Sequence, residues 1–275
     1  MSTIISIANE KGGVAKTTST GSIGSILSRL NYKVLLIDLD PQADLTISLD
    51  VQAEDRNIFD CLFHHKMIIA NKVNENLILV GGDPRLTPID FMDSVKKDKE
   101  FQFENPRLIL KSLLNQVSDK ADFILMDCPP NREIITQNAL AASDYVLIPS
   151  EAHNFSVNGI NNIIEYLDAF VSAKLNPDLK LLGLFVTRYR QNTAIHSDMV
   201  EWFENNYPDE LFKTKINENI TIQEATQMGR ELSIHDDIKR SSQLVKKSSP
   251  FKGLADYREL VDEILNRIDH ESRKV

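Results

Sequence analysis

The 275-residue chain lacks several features that would place it in a specialised class of protein. It has only two cysteines, Cys61 and Cys128, which form no CxxC pair, so a metal or iron–sulfur site built from cysteine is not expected. No apolar run approaches the roughly 18–20 residues that span a bilayer, and the first residues do not read as a secretory signal. These absences predict a cytoplasmic protein.

The chain also lacks an excess of positive charge, since its 31 Lys and Arg residues are outnumbered by 40 Asp and Glu residues and the net charge is −9 at pH 7. This balance argues against a surface coated in positive charge for binding nucleic acid. One stretch is different, because the chain between Ile238 and Ala255 contains no acidic residue. Its basic residues are Lys239, Arg240, Lys246, Lys247 and Lys252. We therefore treat this stretch as a candidate for contact with phosphates.

Short apolar runs alternate with helical patterns along the chain, as in a parallel sheet that is covered by helices on both faces. The predicted strands are Ile4–Ala8, Val34–Asp38, Leu77–Val80, Phe123–Asp127, Tyr145–Pro149 and Leu181–Thr187. The predicted helices are Lys16–Leu30, Pro106–Val117, Glu133–Ala142, Val157–Ala173 and Thr193–Asn205. We predict an α/β fold with a doubly wound, mostly parallel sheet, in a single domain over residues 1–275.

Two segments fall outside this alternation. Residues 83–105 are polar and predict a surface excursion of the fold. Residues 254–268 predict a final helix with one apolar side. The other side of that helix mixes acidic and basic residues, which favours packing on the domain over a membrane surface.

The segment between the first strand and the first helix predicts a phosphate-binding loop. Its residues are Lys11, Gly12, Gly13, Val14, Ala15, Lys16, Thr17 and Thr18. A glycine-containing turn into a helix presents backbone N–H groups where the helix dipole favours anions. Lys16 can contact the β- and γ-phosphates, and the Thr17 hydroxyl can coordinate Mg²⁺.

Two residues break the general phosphate-loop pattern G-x-x-x-x-G-K-[ST], because Glu10 and Ala15 stand at its glycine positions. Alanine is tolerated at position 15 if the backbone there has a negative φ. A positive φ would strain the loop and could slow turnover.

Acidic residues end two of the predicted strands. Asp38 and Asp40 close the second strand, where Pro41 starts a turn, and Asp127 follows four apolar residues on the fourth. Carboxylates at the carboxyl ends of parallel strands face the crevice in which nucleotides bind. An aspartate in the position of Asp127 is typical of a Walker B carboxylate that holds Mg²⁺.

Together these segments resemble the ParA/MinD family of deviant Walker A ATPases, and most closely its ParA-type partition members. The resemblance rests on K-G-G-x-x-K-T-T from Lys11, D-x-D-P-Q from Asp38 and D-C-P-P from Asp127. It implies that Lys11 crosses a dimer interface to the partner's nucleotide. It also implies that Asp40 positions the attacking water, that Asp127 holds Mg²⁺ and that Asp38 supports the Mg²⁺ shell. Lys11, Lys16 and Asp40 are thus the predicted catalytic residues.

Later segments extend the resemblance, and Thr187 and Arg188 match the strand end that meets the adenine in the family. The alternative is that Thr187 ends a strand and Arg188 is a solvated side chain. Arg188 and Arg190 could also add to a DNA-binding patch with the basic stretch described above.

The function implied by the resemblance is that of a partition ATPase with ATP and Mg²⁺ as cofactors. Two copies would sandwich ATP, bind DNA non-specifically on the nucleoid and respond to a ParB-like centromere-binding partner. Two alternatives stay open: a related ATPase that positions a protein or membrane cargo, and a nucleotide-dependent regulator with low turnover. No membrane partner is expected.

Overall fold

The computed structural model describes residues 1–97, 105–152, 156–218 and 251–272. Its strands are β1 (Thr3–Ile7), β2 (Val34–Asp38), β3 (Asn71–Lys72), β4 (Leu77–Val80), β5 (Phe123–Asp127), β6 (Tyr145–Glu151), β7 (Lys180–Tyr189) and β8 (Leu211–Asn217). They form one sheet in the order β3-β4-β2-β5-β1-β6-β7-β8. Every described pairing is parallel except that of β3 with β4. The prediction of a mostly parallel α/β sheet is confirmed.

Helices follow most of the strands. They are α1 (Lys16–Arg29), α2 (Asp44–Ser48), α3 (Ile58–Asp60), α4 (Pro88–Lys97), α5 (Ile109–Leu114), α6 (Ile134–Ala142), α7 (Ser156–Ser172), α8 (Ala194–Asn206) and α9 (Phe251–Ser272). A π-helical turn at Cys61–His65 continues α3, and a 3-10 turn at Pro106–Leu108 leads into α5.

Two apolar layers cover the sheet, one on each face. Helices α1 and α9 pack on one face around Ile23, Leu27 and Tyr257. Helices α4 to α8 pack on the other around residues such as Phe91 and Phe203. Strands that are covered on both sides must be apolar almost throughout, as β2 and β5 are.

Two regions contain elements that were not predicted. Strand β8 was not predicted, because Lys213 and Lys215 interrupt its apolar residues; it pairs only with β7 and so lies at the sheet edge. The predicted surface excursion at residues 83–105 contains helix α4. Phe91 of this helix is buried against Phe63, with ring centroids 5.2 Å apart.

Candidate nucleotide-binding site

The loop between β1 and α1 ends with a buried lysine. Lys16 is the first residue of α1, and its Nζ donates a hydrogen bond to the carbonyl oxygen of Lys11 over 3.1 Å. Burial lowers the pKa of Lys16, while the nearby charges of Asp127 and Asp40 act to raise it. The ammonium group therefore lies inside the loop, close to two carboxylates and shielded from solvent. This is where a phosphate-binding lysine is needed.

 The loop backbone adopts left-handed conformations just before Lys16. Gly13 has φ 78°, and Ala15 has φ 65° and ψ 31°. The sequence left open which sign φ takes at Ala15, and the structure gives the positive one. An alanine in the left-handed region costs roughly 1–2 kcal/mol, because its Cβ crowds the neighbouring carbonyl. The loop of this chain therefore carries local backbone strain at the residue directly before α1.

Asp127 ends β5 at the bottom of the site. It is buried, and its Oδ1 accepts a long hydrogen bond of 3.4 Å from the hydroxyl of Thr20. Its Oδ2 is buried without a hydrogen-bond partner among the described residues. Burial raises the pKa of Asp127 well above its usual value, and the charge of Asp38 raises it further, whereas the nearby Thr17 hydroxyl acts to lower it. An orphaned carboxylate oxygen beside a threonine hydroxyl suits a divalent cation.

Asp38 ends the neighbouring strand β2, in register with Asp127. Its Oδ2 accepts hydrogen bonds from Thr46 N at 2.9 Å and Thr46 Oγ1 at 2.6 Å, and its Oδ1 accepts one from Asp40 N at 3.2 Å. Burial raises the pKa of Asp38 to about 6, although these hydrogen bonds act to lower it. Asp38 therefore fastens the turn that leads from β2 into α2.

Gly82 closes this turn from the next strand. Its N–H donates to Thr46 Oγ1 over 2.8 Å, and a Cβ at Gly82 would lie only 2.9 Å from Cγ of Asp38. Only glycine allows the backbone to approach the carboxylate so closely.

Asp40 lies on the same turn but is half-buried, and its Oδ1 accepts a hydrogen bond from Gln42 N over 2.9 Å. Its charge is close enough to raise the pKa of Lys16. The turn thus brings a partly accessible carboxylate towards the phosphate loop, as a residue that positions water requires.

The rim of the site carries a cluster of charges. Lys11 Nζ lies 3.1 Å from Glu151 Oε2, and Arg188 Nη1 lies 3.0 Å from Glu151 Oε1. Thr187, next to Arg188, is fully buried and donates to the carbonyl oxygen of Val14 over 3.2 Å. Thr187 therefore supports the phosphate loop directly, and Arg188 is paired with a carboxylate. Their predicted contact with adenine stays a prediction.

The residues predicted to bind DNA are only partly within the described chain. Arg190 forms an ion pair with Glu218, including a contact of 2.9 Å from Nη2 to Oε1. Lys252 lies in α9, but its side chain is outside the described part. Lys239, Arg240, Lys246 and Lys247 lie outside the described residues altogether.

Sequence reasoning missed several side chains that hold the site together. Thr46 and Glu151 belong to none of the motifs, and only the fold brings them to Asp38 and Lys11. A further ion pair joins Arg132, after β5, to Glu10, the residue before the phosphate loop. The departure of Glu10 from the general pattern was the one signal for that contact.

The donor set fits a nucleotide with Mg²⁺. Among the described residues no group of three or more His, Cys, Asp or Glu side chains could hold a metal ion by itself. Mg²⁺ that is bound with a nucleotide needs only one or two protein ligands, because phosphate oxygens and water complete its shell. Asp127 and Thr17 can supply those ligands.

The fold and the phosphate loop define a P-loop ATPase. A family model described as an AAA domain matches residues 2–181. The chain is 32% identical over 233 residues to the chromosome-partitioning ATPase Soj of Treponema pallidum, a match that covers 83% of this chain and 88% of the relative. It is 31% identical over 264 residues to Soj of Thermus thermophilus, with 96% of each chain covered. The chain belongs to the ParA/MinD family of ATPases.

Solved structures agree with this assignment. A plasmid partition protein from Borrelia burgdorferi bound to AMPPNP is 26% identical, with a TM-score of 0.71 over 98% of this chain and 100% of that one. A cobyrinic acid a,c-diamide synthase from Mycobacterium smegmatis with a bound ATP analogue and magnesium is also 26% identical. Its TM-score is 0.72 over 97% of this chain and 95% of that one. ATP and Mg²⁺ are the cofactors of this family.

The part of the chain that the structure describes contains no helix long and apolar enough to cross a membrane.

Proposed function

We propose that the protein is a partition ATPase that hydrolyses ATP to ADP and phosphate and acts as an ATP-dependent homodimer on DNA. The proposal is supported by the ParA-type phosphate loop and by the similarity to Soj proteins of two bacteria. A ParB-like centromere-binding protein would stimulate hydrolysis and so release the dimer from DNA. The protein would then act in the cytoplasm, in association with the nucleoid.

The directions of the two loop lysines are the observation that carries the proposal. Lys16 is buried in the loop and bonded to its backbone, whereas the Lys11 side chain is 36% exposed and turned to Glu151 at the rim. The Lys11 side chain thus points to the rim and not into its own phosphate loop. A lysine in this place can reach the nucleotide of a second copy that faces the same rim.

The proposed chemistry divides among four residues. Lys16 would stabilise charge on the transferred phosphoryl group, and Asp40 would orient the attacking water. Thr17 and Asp127 would hold Mg²⁺, which when bound neutralises charge on the phosphate oxygens. The main contribution of the protein is therefore to position these groups before the reaction.

DNA binding is the part of the proposal that depends most on the basic stretch of the sequence. Arg188 and Arg190 each lie beside a carboxylate, so their charge is partly neutralised in a single protomer. The basic residues between Ile238 and Ala255 would then supply most of the sequence-independent phosphate contacts.

Dimerisation tests the role of Lys11. Sedimentation velocity with AMPPNP and Mg²⁺ should give a dimer for the wild-type protein and a monomer for Lys11→Ala. Nucleotide binding by the variant should be retained. Lys33→Ala, which removes an exposed lysine at the opposite end of the sheet, is the matched control. A Lys11→Ala protein that dimerises like the wild type would remove the crossing role.

DNA binding separates partition from the alternatives. Binding of unrelated duplexes should require ATP and should weaken strongly between about 50 and about 300 mM salt, since phosphate contacts release counterions. If no DNA is bound with ATP at either salt concentration, the partition function is wrong and positioning of another cargo becomes the better hypothesis.

Asp40→Ala should bind ATP without hydrolysing it, and normal turnover would exclude Asp40 from the reaction.

A further inference from the structure

Glu151 joins three separate parts of the site. It is the last residue of β6, and its two carboxylate oxygens contact different cations. Oε2 lies 3.1 Å from Lys11 Nζ on the phosphate loop, and Oε1 lies 3.0 Å from Arg188 Nη1 at the end of β7. The Glu151 side chain is only 15% exposed, so it is better shielded from solvent than either cation. These contacts hold Lys11 at the rim of its own protomer.

The contact has a thermodynamic consequence for a lysine that must reach a second protomer. In the proposed dimer, the Lys11 ammonium group would have to leave Glu151 in order to reach the nucleotide of a partner. The ion pair therefore stabilises the form of the protein in which Lys11 is withdrawn. Because the form with Lys11 withdrawn is not the form that dimerises, the Lys11–Glu151 pair opposes the dimer. ATP shifts this equilibrium only through its higher affinity for the dimer.

We propose that Glu151 is a positioning residue that holds Lys11 in the separate protomer and thereby sets the ATP concentration at which the dimer forms. This inference rests on the proposed function, in which Lys11 crosses the interface. Glu151 takes no part in the chemistry. It acts through Lys11, and Arg188 keeps the carboxylate oriented from the other side.

The first test measures the AMPPNP concentration that gives half-maximal dimer, by sedimentation at a fixed protein concentration. Glu151→Gln keeps the shape of the side chain and removes its charge. The required concentration should fall roughly two- to fivefold, the range expected for the loss of a partly exposed ion pair. Glu218→Gln is the matched control, because it removes the carboxylate that pairs with Arg190, directly after β7, and leaves the Lys11 contact in place.

The second test measures the Lys11–Glu151 contact through the chemical reactivity of the Lys11 amine. The nucleotide-free protein is treated briefly with an amine-acylating reagent, and the modification of Lys11 is measured by mass spectrometry. Glu151→Gln should increase the labelling of Lys11, whereas Glu218→Gln should leave it unchanged. A residue with a merely structural role would not alter the reactivity of this one amine. If the glutamine variant fails to fold, Glu151→Asp should give a smaller change in the same direction.

The possible results separate the two proposals. Unchanged Lys11 labelling in Glu151→Gln, or a dimer that needs as much or more AMPPNP than the wild type, would overturn the role of Glu151 alone. Failure of the wild-type protein to dimerise with AMPPNP would overturn the proposed function and, with it, the role of Glu151 in dimerisation.

Discussion

The ends of strands β2 and β5 carry two buried aspartates that lie side by side in the sheet but have different surroundings. Asp38 on β2 accepts three hydrogen bonds from its own turn. Asp127 on β5 has one carboxylate oxygen without a partner among the described residues. Burial raises the pKa of both.

The comparison teaches that burial alone does not mark a ligand. Both oxygens of the Asp38 carboxylate accept hydrogen bonds that shape the turn around Asp40. Asp38 therefore supports the site by holding this turn. Asp127 keeps an oxygen available where a cation would compensate the cost of burying its charge. The resemblance places both aspartates around Mg²⁺, and the unpartnered oxygen makes Asp127 the better candidate for contact with the Mg²⁺ shell.

The largest expected effect comes from Asp127→Asn. ATP hydrolysis, measured as phosphate release with Mg²⁺, should fall by about 100-fold or more, since a charged group that acts on the transition state is lost. The nucleotide-free protein should be at least as stable as the wild type, because a poorly partnered buried charge is removed. Asp119→Asn, at an exposed position, is the control. Hydrolysis at the wild-type rate would contradict the assignment of Asp127.

The pH dependence of stability should reveal the buried charge of Asp38. Its pKa of about 6 in the folded protein lies above the ordinary value of 3.8, so the folded state binds more protons between those values. The free energy of unfolding should therefore fall as the pH rises through this window. Asp38→Asn should remove that part of the slope in denaturant titrations without nucleotide. An identical slope in the variant would show that Asp38 titrates normally.

Two threonines allow a finer comparison. Thr46→Val removes a hydroxyl that donates to Asp38 and accepts from Gly82, so unfolding should become easier by about 1–3 kcal/mol. Thr20→Val removes only the long contact to Asp127 and a bond to the carbonyl oxygen of Lys16 within α1. We expect less than half the loss of stability at Thr20. Equal losses would mean that the two aspartates are supported alike.

The smallest expected effect is at Ala15. Ala15→Gly relieves a left-handed alanine and should raise the free energy of unfolding by up to about 1 kcal/mol. Ala43→Gly is a close control, since Ala43 precedes α2 with φ 54°. An increase in ATP turnover at Ala15→Gly alone would attribute a kinetic cost to strain in the phosphate loop. A loss of stability at Ala15→Gly would contradict the strain.

Most of the sheet could be predicted, because its inner strands are short apolar runs. Val34–Asp38, Leu77–Val80 and Phe123–Asp127 have the predicted bounds. The edge strands β3 and β8 could not be predicted, because β3 has two residues and the lysines of β8 remove its apolar pattern. Helix α4 was missed because the segment around it is strongly polar.

The site could be predicted only as far as its residues belong to motifs. Lys16 and Asp127 stand in sequence patterns whose chemistry is recognisable. Thr46 and Glu151 reach the site through strand order and side-chain direction, which the local sequence does not encode. The sign of φ at Ala15 likewise depends on how the loop closes onto α1 and could not be read from the residue itself.

The left-handed turns at Gly13 and Ala15 also have a consequence for recognition. Alternation of backbone handedness turns successive N–H groups towards one side, which forms a concave anion-binding nest. Val14 lies between the two turns with its side chain buried, so the concavity is anchored from below. The conformation that is unfavourable for alanine is thus the one that shapes the cradle. The strain at Ala15 can be understood as the local cost of receiving an anion through the main chain.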